Sequence, residues 1–95
     1  MTLKQIQDLM KQLYYARDKK RGAEKTFIWL VEEIGELGRS FNKPINKNEI
    51  EAEFADILAW LSSLANLLDV DLERAVTQKY PNKCPRCEKN PCNCD

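Results

Sequence analysis

No histidine occurs anywhere in the 95 residues. That absence excludes arrangements in which an imidazole moves the proton: serine or cysteine nucleophiles activated by histidine, and di-iron helical bundles built on Glu-x-x-His pairs. Net charge is missing as well, since 15 basic side chains balance 15 acidic ones. Recognition of nucleic acid over a broad surface needs a basic excess, so no such partner is expected. Nor is there a run of about 18 apolar residues able to span a bilayer, and MTLKQIQDLMKQ lacks the apolar stretch of a signal peptide. The chain is therefore expected to be cytoplasmic, with no membrane partner. Internal repeats and low-complexity segments are absent too, and a composition of 43% hydrophobic and 32% charged residues is that of one globular domain. So short a domain buries a limited fraction of its surface, which leads us to expect a homo-oligomer, dimer or tetramer.

What is present is mostly helical periodicity. Thr2 and Gln5 read as a capping box ahead of Leu3, Ile6, Met10, Leu13 and Tyr14, which predicts a first helix over about residues 3–17. The charged stretch from Asp18 to Ala23, with Gly22, reads as the loop that ends it. Phe27, Leu30, Val31, Ile34, Gly38 and Phe41 make an apolar stripe along a second helix, with Trp29, Glu32, Glu33, Glu36 and Ser40 on the opposite side. After Pro44, Asn46 and Glu49 start a third helix, whose expected core stripe is Ile50, Phe54, Ile57, Leu61, Leu64 and Leu68. Its flank of Ala52, Ala55, Ala59 and Ser62 permits close approach and is expected to be the seam with another subunit. Asp69 or Asp71 caps a short fourth helix that ends at Tyr80, before Pro81. The expected fold class is all-α.

Five carboxylates stand inside these apolar patterns: Glu32, Glu33 and Glu36 in VEEIGEL, and Glu53 and Asp56 in EAEFADILAWL. Residues three apart on a helix are neighbours, so Glu33 shares a face with Glu36, and Glu53 with Asp56. Should the two faces meet, four negative charges converge; at ~5 Å and an effective dielectric of about 20, each pair costs roughly 3 kcal/mol. A small domain needs a counter-charge against that, and a hard divalent cation with oxygen ligands supplies one. The alternative is a solvated acidic face, but few cations stand at i+3 or i+4 to pair with these acids, Arg39 being the main one.

EEIGE at residues 32–36 followed by EFAD at residues 53–56 resembles the EExxE and ExxD signature of the MazG-like nucleotide pyrophosphohydrolases, members of the all-α NTP pyrophosphatase superfamily. TFIWLVEEIGEL, ADILAWLSSLANL and QKYP are similar to family sequence too, so that the resemblance covers roughly residues 3–82. It implies a four-helix MazG-like bundle over residues 1–82, completed by oligomerisation, and Mg2+-dependent conversion of a (d)NTP to (d)NMP and pyrophosphate, as in nucleotide-pool house-cleaning. Glu33, Glu36, Glu53 and Asp56 would be the Mg2+ ligands, with Mn2+ as a substitute. Glu32, displaced by about 100° around the helix, would activate the attacking water. Candidate phosphate donors are Lys19, Lys20, Arg21 and Lys25 before the second helix and Lys79 after the fourth, with Lys25 and Lys79 preferred and solvated surface side chains as the alternative for most of them. Trp29 and Trp60 could stack on the base, with core or interface packing as the alternative for each. A related all-α family that hydrolyses phosphoribosyl-ATP usually carries a histidine near the position of Trp60, which argues against that substrate here.

Residues 83–95 read as a separate Cys-rich tail. Cys84, Cys87, Cys92 and Cys94 lie in CPRCEKNPCNC, a CxxC followed after four residues by CxC. In a reducing compartment, four thiolates at this spacing suit a tetrahedral Zn2+, with Pro85 and Pro91 restricting the loops; a flexible reduced tail and disulfides are the alternatives. A zinc knuckle beside Lys83, Arg86 and Lys89 also fits a competing function, a non-enzymatic helical module that contacts nucleic acid or protein. Against it, the tail has no aromatic beyond Tyr80 to stack on bases, and the five acids are left without a role.

Overall fold

Side-chain caps dictate three of the four helix starts. Thr2 accepts from the Gln5 N–H while the Gln5 side chain accepts from Thr2, which closes a reciprocal capping box; Asn46 and Asp71 accept from the N–H groups of Glu49 and Arg74. The computed structural model describes residues 1–95 as α1 (Leu3–Arg21), α2 (Ala23–Arg39), α3 (Lys47–Leu67) and α4 (Leu72–Lys79), with a 3-10 turn at Ser40–Asn42 and no strand. No helix is long and apolar enough to cross a membrane.

The expected loop from Asp18 to Ala23 is a correction: α1 continues through Arg21, and only Gly22 separates it from α2. Asp18 is buried, and its Oδ1 accepts from Arg21 Nη1 at 2.9 Å, one turn further along the helix. Lys19, Lys20 and Arg21 occupy the last turn, where the helix dipole favours positive charge. Gly22 then takes φ +91°, a value L side chains rarely adopt, and its carbonyl accepts from the Thr26 hydroxyl at 2.8 Å. Arg21 also donates to Thr26 Oγ1 at 3.2 Å. The connection is a one-residue hinge stitched by side chains.

α3 is the centre of the molecule, packing against α1 on one side and α2 on the other, while α4 returns to α1. A polar clasp joins three helices. Gln7, buried on α1, donates to Asn66 Oδ1 at 3.0 Å and to the Val70 carbonyl at 2.7 Å; its own Oε1 accepts from the Leu72 N–H at 2.9 Å. Asn66 Nδ2 donates back to the Gln7 carbonyl. A fully bonded buried amide of this kind fixes register, because any slip would leave polar groups unpaired.

The apolar core is small: Leu30 and Ala65 are its buried members, and Gln7, Asp18, Thr26, Ser62 and Ser63 fill the remaining buried positions. One expectation is corrected here. Of the α2 stripe, Leu30 turns inward while Phe27, Val31, Ile34 and Phe41 are exposed, and on α3 Phe54, Leu61 and Leu68 are exposed as well. The small-residue flank is divided: Ser62 is completely enclosed by its own chain and Ala59 lines a cavity beside α1, whereas Ala52 and Ala55 stay exposed. Small side chains let α1 approach α3 within the chain, which leaves the large apolar residues facing outward. The radius of gyration is 15.7 Å, against about 12.4 Å expected of a self-contained domain of this length. The whole chain, tail included, spans 42 × 37 × 26 Å.

Candidate functional site

α2 turns Thr26, Leu30, Glu33 and Leu37 toward α3, positions that recur at helical spacing and are buried or half-buried. Glu33 therefore stands in the seam between the two helices, one turn after the buried Leu30. From α3, Glu53 and Asp56 meet it, and one carboxylate oxygen of each residue lies within 4.8 Å of the others. Glu33 Oε2 and Glu53 Oε2 are buried without a hydrogen-bond partner. Burial, followed by the charges of Glu36, Asp56 and Glu53, pushes the Glu33 carboxyl above the usual carboxylate range. Two orphaned anionic oxygens in a seam are costly unless a cation satisfies them, so the donor set fits a hard divalent ion.

The remaining acids are placed differently. Glu36 lies outside the close set but shares a cavity of about 550 Å³ with Glu53, whose other lining includes Arg39, Ser40, Lys43 and Glu49. Lys43 is tied to Glu49 at 3.3 Å. Glu32 is exposed and belongs to neither the close set nor this cavity.

A second cavity, of about 300 Å³, opens between α1 and α3 and is lined by Tyr14, Arg17, Asp18, Arg21, Asp56 and Trp60, with Ala59 and Ser63 at its base. Asp56 thus belongs to the acid cluster and to this cavity at once. Trp29 and Trp60 stack on each other with centroids 5.7 Å apart and planes 8° from parallel. They are in direct offset contact, so no base lies between them. The Arg21 guanidinium sits over the Trp60 ring at 4.8 Å, a cation–π contact that puts positive charge on the aromatic wall.

Lys25 and Lys79, the expected phosphate donors, line neither cavity, and Lys79 instead places its ammonium over Tyr80 at 5.8 Å. The cations that do face the cavities are Arg17 and Arg21 on one side, Arg39 and Lys43 on the other. A signal for the first pair exists in the sequence: Tyr14, Arg17, Asp18 and Arg21 fall at i, i+3, i+4 and i+7, one face of a helix. Ending α1 at residue 17 conceals it.

In the tail, the four cysteine sulfurs all lie within 4.8 Å of one another and no disulfide joins them. The Asn93 N–H donates to Cys87 Sγ at 3.3 Å, and such backbone donors hold the Cys87 thiol down at about 6. The backbone N–H groups of Cys87 and Arg86 also lower the Cys84 thiol.

The MazG nucleotide pyrophosphohydrolase domain matches residues 21–88, which takes in α2, α3, α4, all five acids and the first two cysteines. No curated protein matches the chain.

Proposed function

The chain belongs to the MazG nucleotide pyrophosphohydrolase domain family, and on that premise we propose that it is a Mg2+-dependent enzyme converting a (d)NTP to its (d)NMP and pyrophosphate. The observation that carries this reading is the position of Asp56, at once a member of the acid cluster and a wall of the arginine-bearing cavity. A nucleotide bound across Asp56 has its phosphates at the acids and its base toward Trp60. Glu33, Glu53 and Asp56 hold the ion, with Glu36 at the rim. Mg2+, or Mn2+ in its place, supplies positive charge to phosphate oxygens and makes water a stronger acid. Glu32, exposed and outside the close set, takes the proton of the water that attacks the α-phosphorus. Arg17 and Arg21 offer forked donors to phosphate or base oxygens.

A partner copy completes the fold in this reading. Phe27, Val31, Ile34 and Phe54 are about half exposed or more in the single chain, an arrangement that a homo-oligomer, most simply a dimer, covers. The test of the activity is a product assay over canonical and damaged (d)NTPs with Mg2+ or Mn2+, resolving pyrophosphate from orthophosphate. Pyrophosphate that disappears with EDTA is the expected result. Orthophosphate released from the γ position, or no turnover across the panel, would overturn the assignment.

A further inference from the structure

The last fifteen residues have no apolar core, since none of them is buried, yet they hold a defined shape. Cys84 N–H donates to the Lys89 carbonyl at 2.9 Å and Glu88 N–H to the Cys84 carbonyl at 2.8 Å, which folds the first CxxC into a tight loop. Asn90 Nδ2 ties the loop back to the Asn82 carbonyl at 2.9 Å. Asn82 and Glu88 both adopt φ +60°, the left-handed region, which is uncommon for a glutamate and persists where the surroundings impose it. Something must hold such a loop, and hydrophobic packing does not.

We infer that the tail is a structural Zn2+ site in which Cys84, Cys87, Cys92 and Cys94 bind one ion as four thiolates. The geometry is specific. Cys84 Sγ and Cys94 Sγ are 3.8 Å apart, and so are Cys87 Sγ and Cys92 Sγ. A tetrahedron with Zn–S distances of about 2.3 Å has edges of about 3.8 Å. Two opposite edges of the sulfur cluster therefore already have the length that the ion requires, and the other four are within 4.8 Å.

The surroundings fit thiolates as well. Backbone N–H groups of Asn93 and Cys94 point at Cys87 Sγ and Cys92 Sγ, each at 3.3 Å, the kind of donor that supports anionic sulfur in a metal site. Four thiolates with one Zn2+ carry two negative charges. Across residues 83–95, Lys83, Arg86 and Lys89 against Glu88 and Asp95 leave one positive charge, which offsets part of the charge of the loaded site, where the unloaded tetra-anion carries four negative charges. Soft sulfur separates this site chemically from the hard carboxylate cluster, and neither ion competes for the other's ligands. The inference rests on the tail alone and does not depend on nucleotide chemistry.

The experiment uses the full chain purified under reducing conditions without chelators. Elemental analysis is expected to find one zinc per chain, with thiols that react with a thiol reagent only after a strong chelator has removed it. Exchange with Co2+ is expected to give the intense visible bands of a tetrahedral tetrathiolate. Cys87→Ser and Cys92→Ser should each weaken zinc retention by at least about tenfold, the lower bound for losing even an outer-shell partner. Far-UV circular dichroism on the same samples separates loss of zinc from loss of the helices. Zinc well below one equivalent with four freely titrating thiols, an intact mass lighter by four hydrogens from two disulfides, or iron in place of zinc would each overturn the assignment.

Discussion

Glu33→Gln should make the metal-free protein more stable and the Mg2+-loaded protein less so. Carboxylate oxygens of Glu33, Glu53 and Asp56 lie within 4.8 Å, so that each ionised pair costs about 1 kcal/mol in a water-like dielectric and roughly 3.5 kcal/mol at an effective value of 20. Glu33 takes part in two such pairs, but it relieves part of the cost by holding its proton to higher pH than an ordinary glutamate. A net gain of about 1–2 kcal/mol from removing its charge is therefore reasonable, or about 4–8 °C in Tm for each kcal/mol in a domain of this size. The sign with pH follows from the raised carboxyl. Between the ordinary value of 4.5 and the raised one, the folded state binds more protons than the unfolded state, so wild-type stability falls as pH rises through that interval. The advantage of Gln is accordingly full above the raised value and vanishes in acid, where both states of Glu33 are protonated. Melting curves of both proteins, in EDTA and in saturating Mg2+, across a pH series, measure all of this. Mg2+ should raise the Tm of the wild type and barely move the variant. If Glu33→Gln lowers the Tm in EDTA at alkaline pH, the acids are not in conflict in the metal-free fold and the cation argument fails.

Three further outcomes are expected. Asp56→Ala should lose Mg2+ affinity and turnover together, whereas Glu32→Gln should keep the affinity and lose roughly 10² or more in turnover, the range of a lost general base; calorimetry in which both lose the metal equally would move Glu32 into the ligand set. Arg21→Ala strands the buried Asp18 carboxylate and should cost about 3–5 kcal/mol by denaturant unfolding, with Asp18→Asn in the same chain restoring a good part; an unchanged midpoint would mean the pair is solvated. Phe54→Glu is a surface change worth under about 0.5 kcal/mol if the chain is a monomer, but it should dissociate and destabilise an oligomer. Light scattering showing a monodisperse, active wild-type monomer at micromolar concentration would remove the oligomer.

Where helices begin was legible because caps are local: Thr2, Asn46 and Asp71 each bond within their own first turn. Helical spacing likewise put Glu53 and Asp56 on one face, but that this face meets Glu33 was implied only by the family resemblance, and Glu36, expected in the same set, lies outside it. Which face packs inward was not. Periodicity identifies an apolar stripe but says nothing about whether the same chain covers it, and here Phe27, Ile34 and Phe54 are left outside while Thr26 and Ser62 are enclosed. Gln7 escaped notice because a buried amide is recognisable only through partners 59 to 65 residues away. That Arg17 and Arg21 share one helix face was hidden by a boundary: charged residues before a glycine suggest a loop, although the local ion pair of Asp18 with Arg21 carries the helix on to residue 21.

Asp56 and Trp60 are four residues apart on one helix, a rise of about 6 Å that packing cannot stretch or compress. For a nucleotide gripped at both places, α3 is a gauge: the span from α-phosphate to base must match one helical turn, and a substrate too long or too short loses one grip or the other. Divergence in base preference would then leave α3 alone and work on the opposite jaw. That jaw is α1, whose Tyr14, Arg17 and Arg21 face the same cavity, so that substitutions there can recut the wall opposite Trp60 while the acids keep their places on α2 and α3.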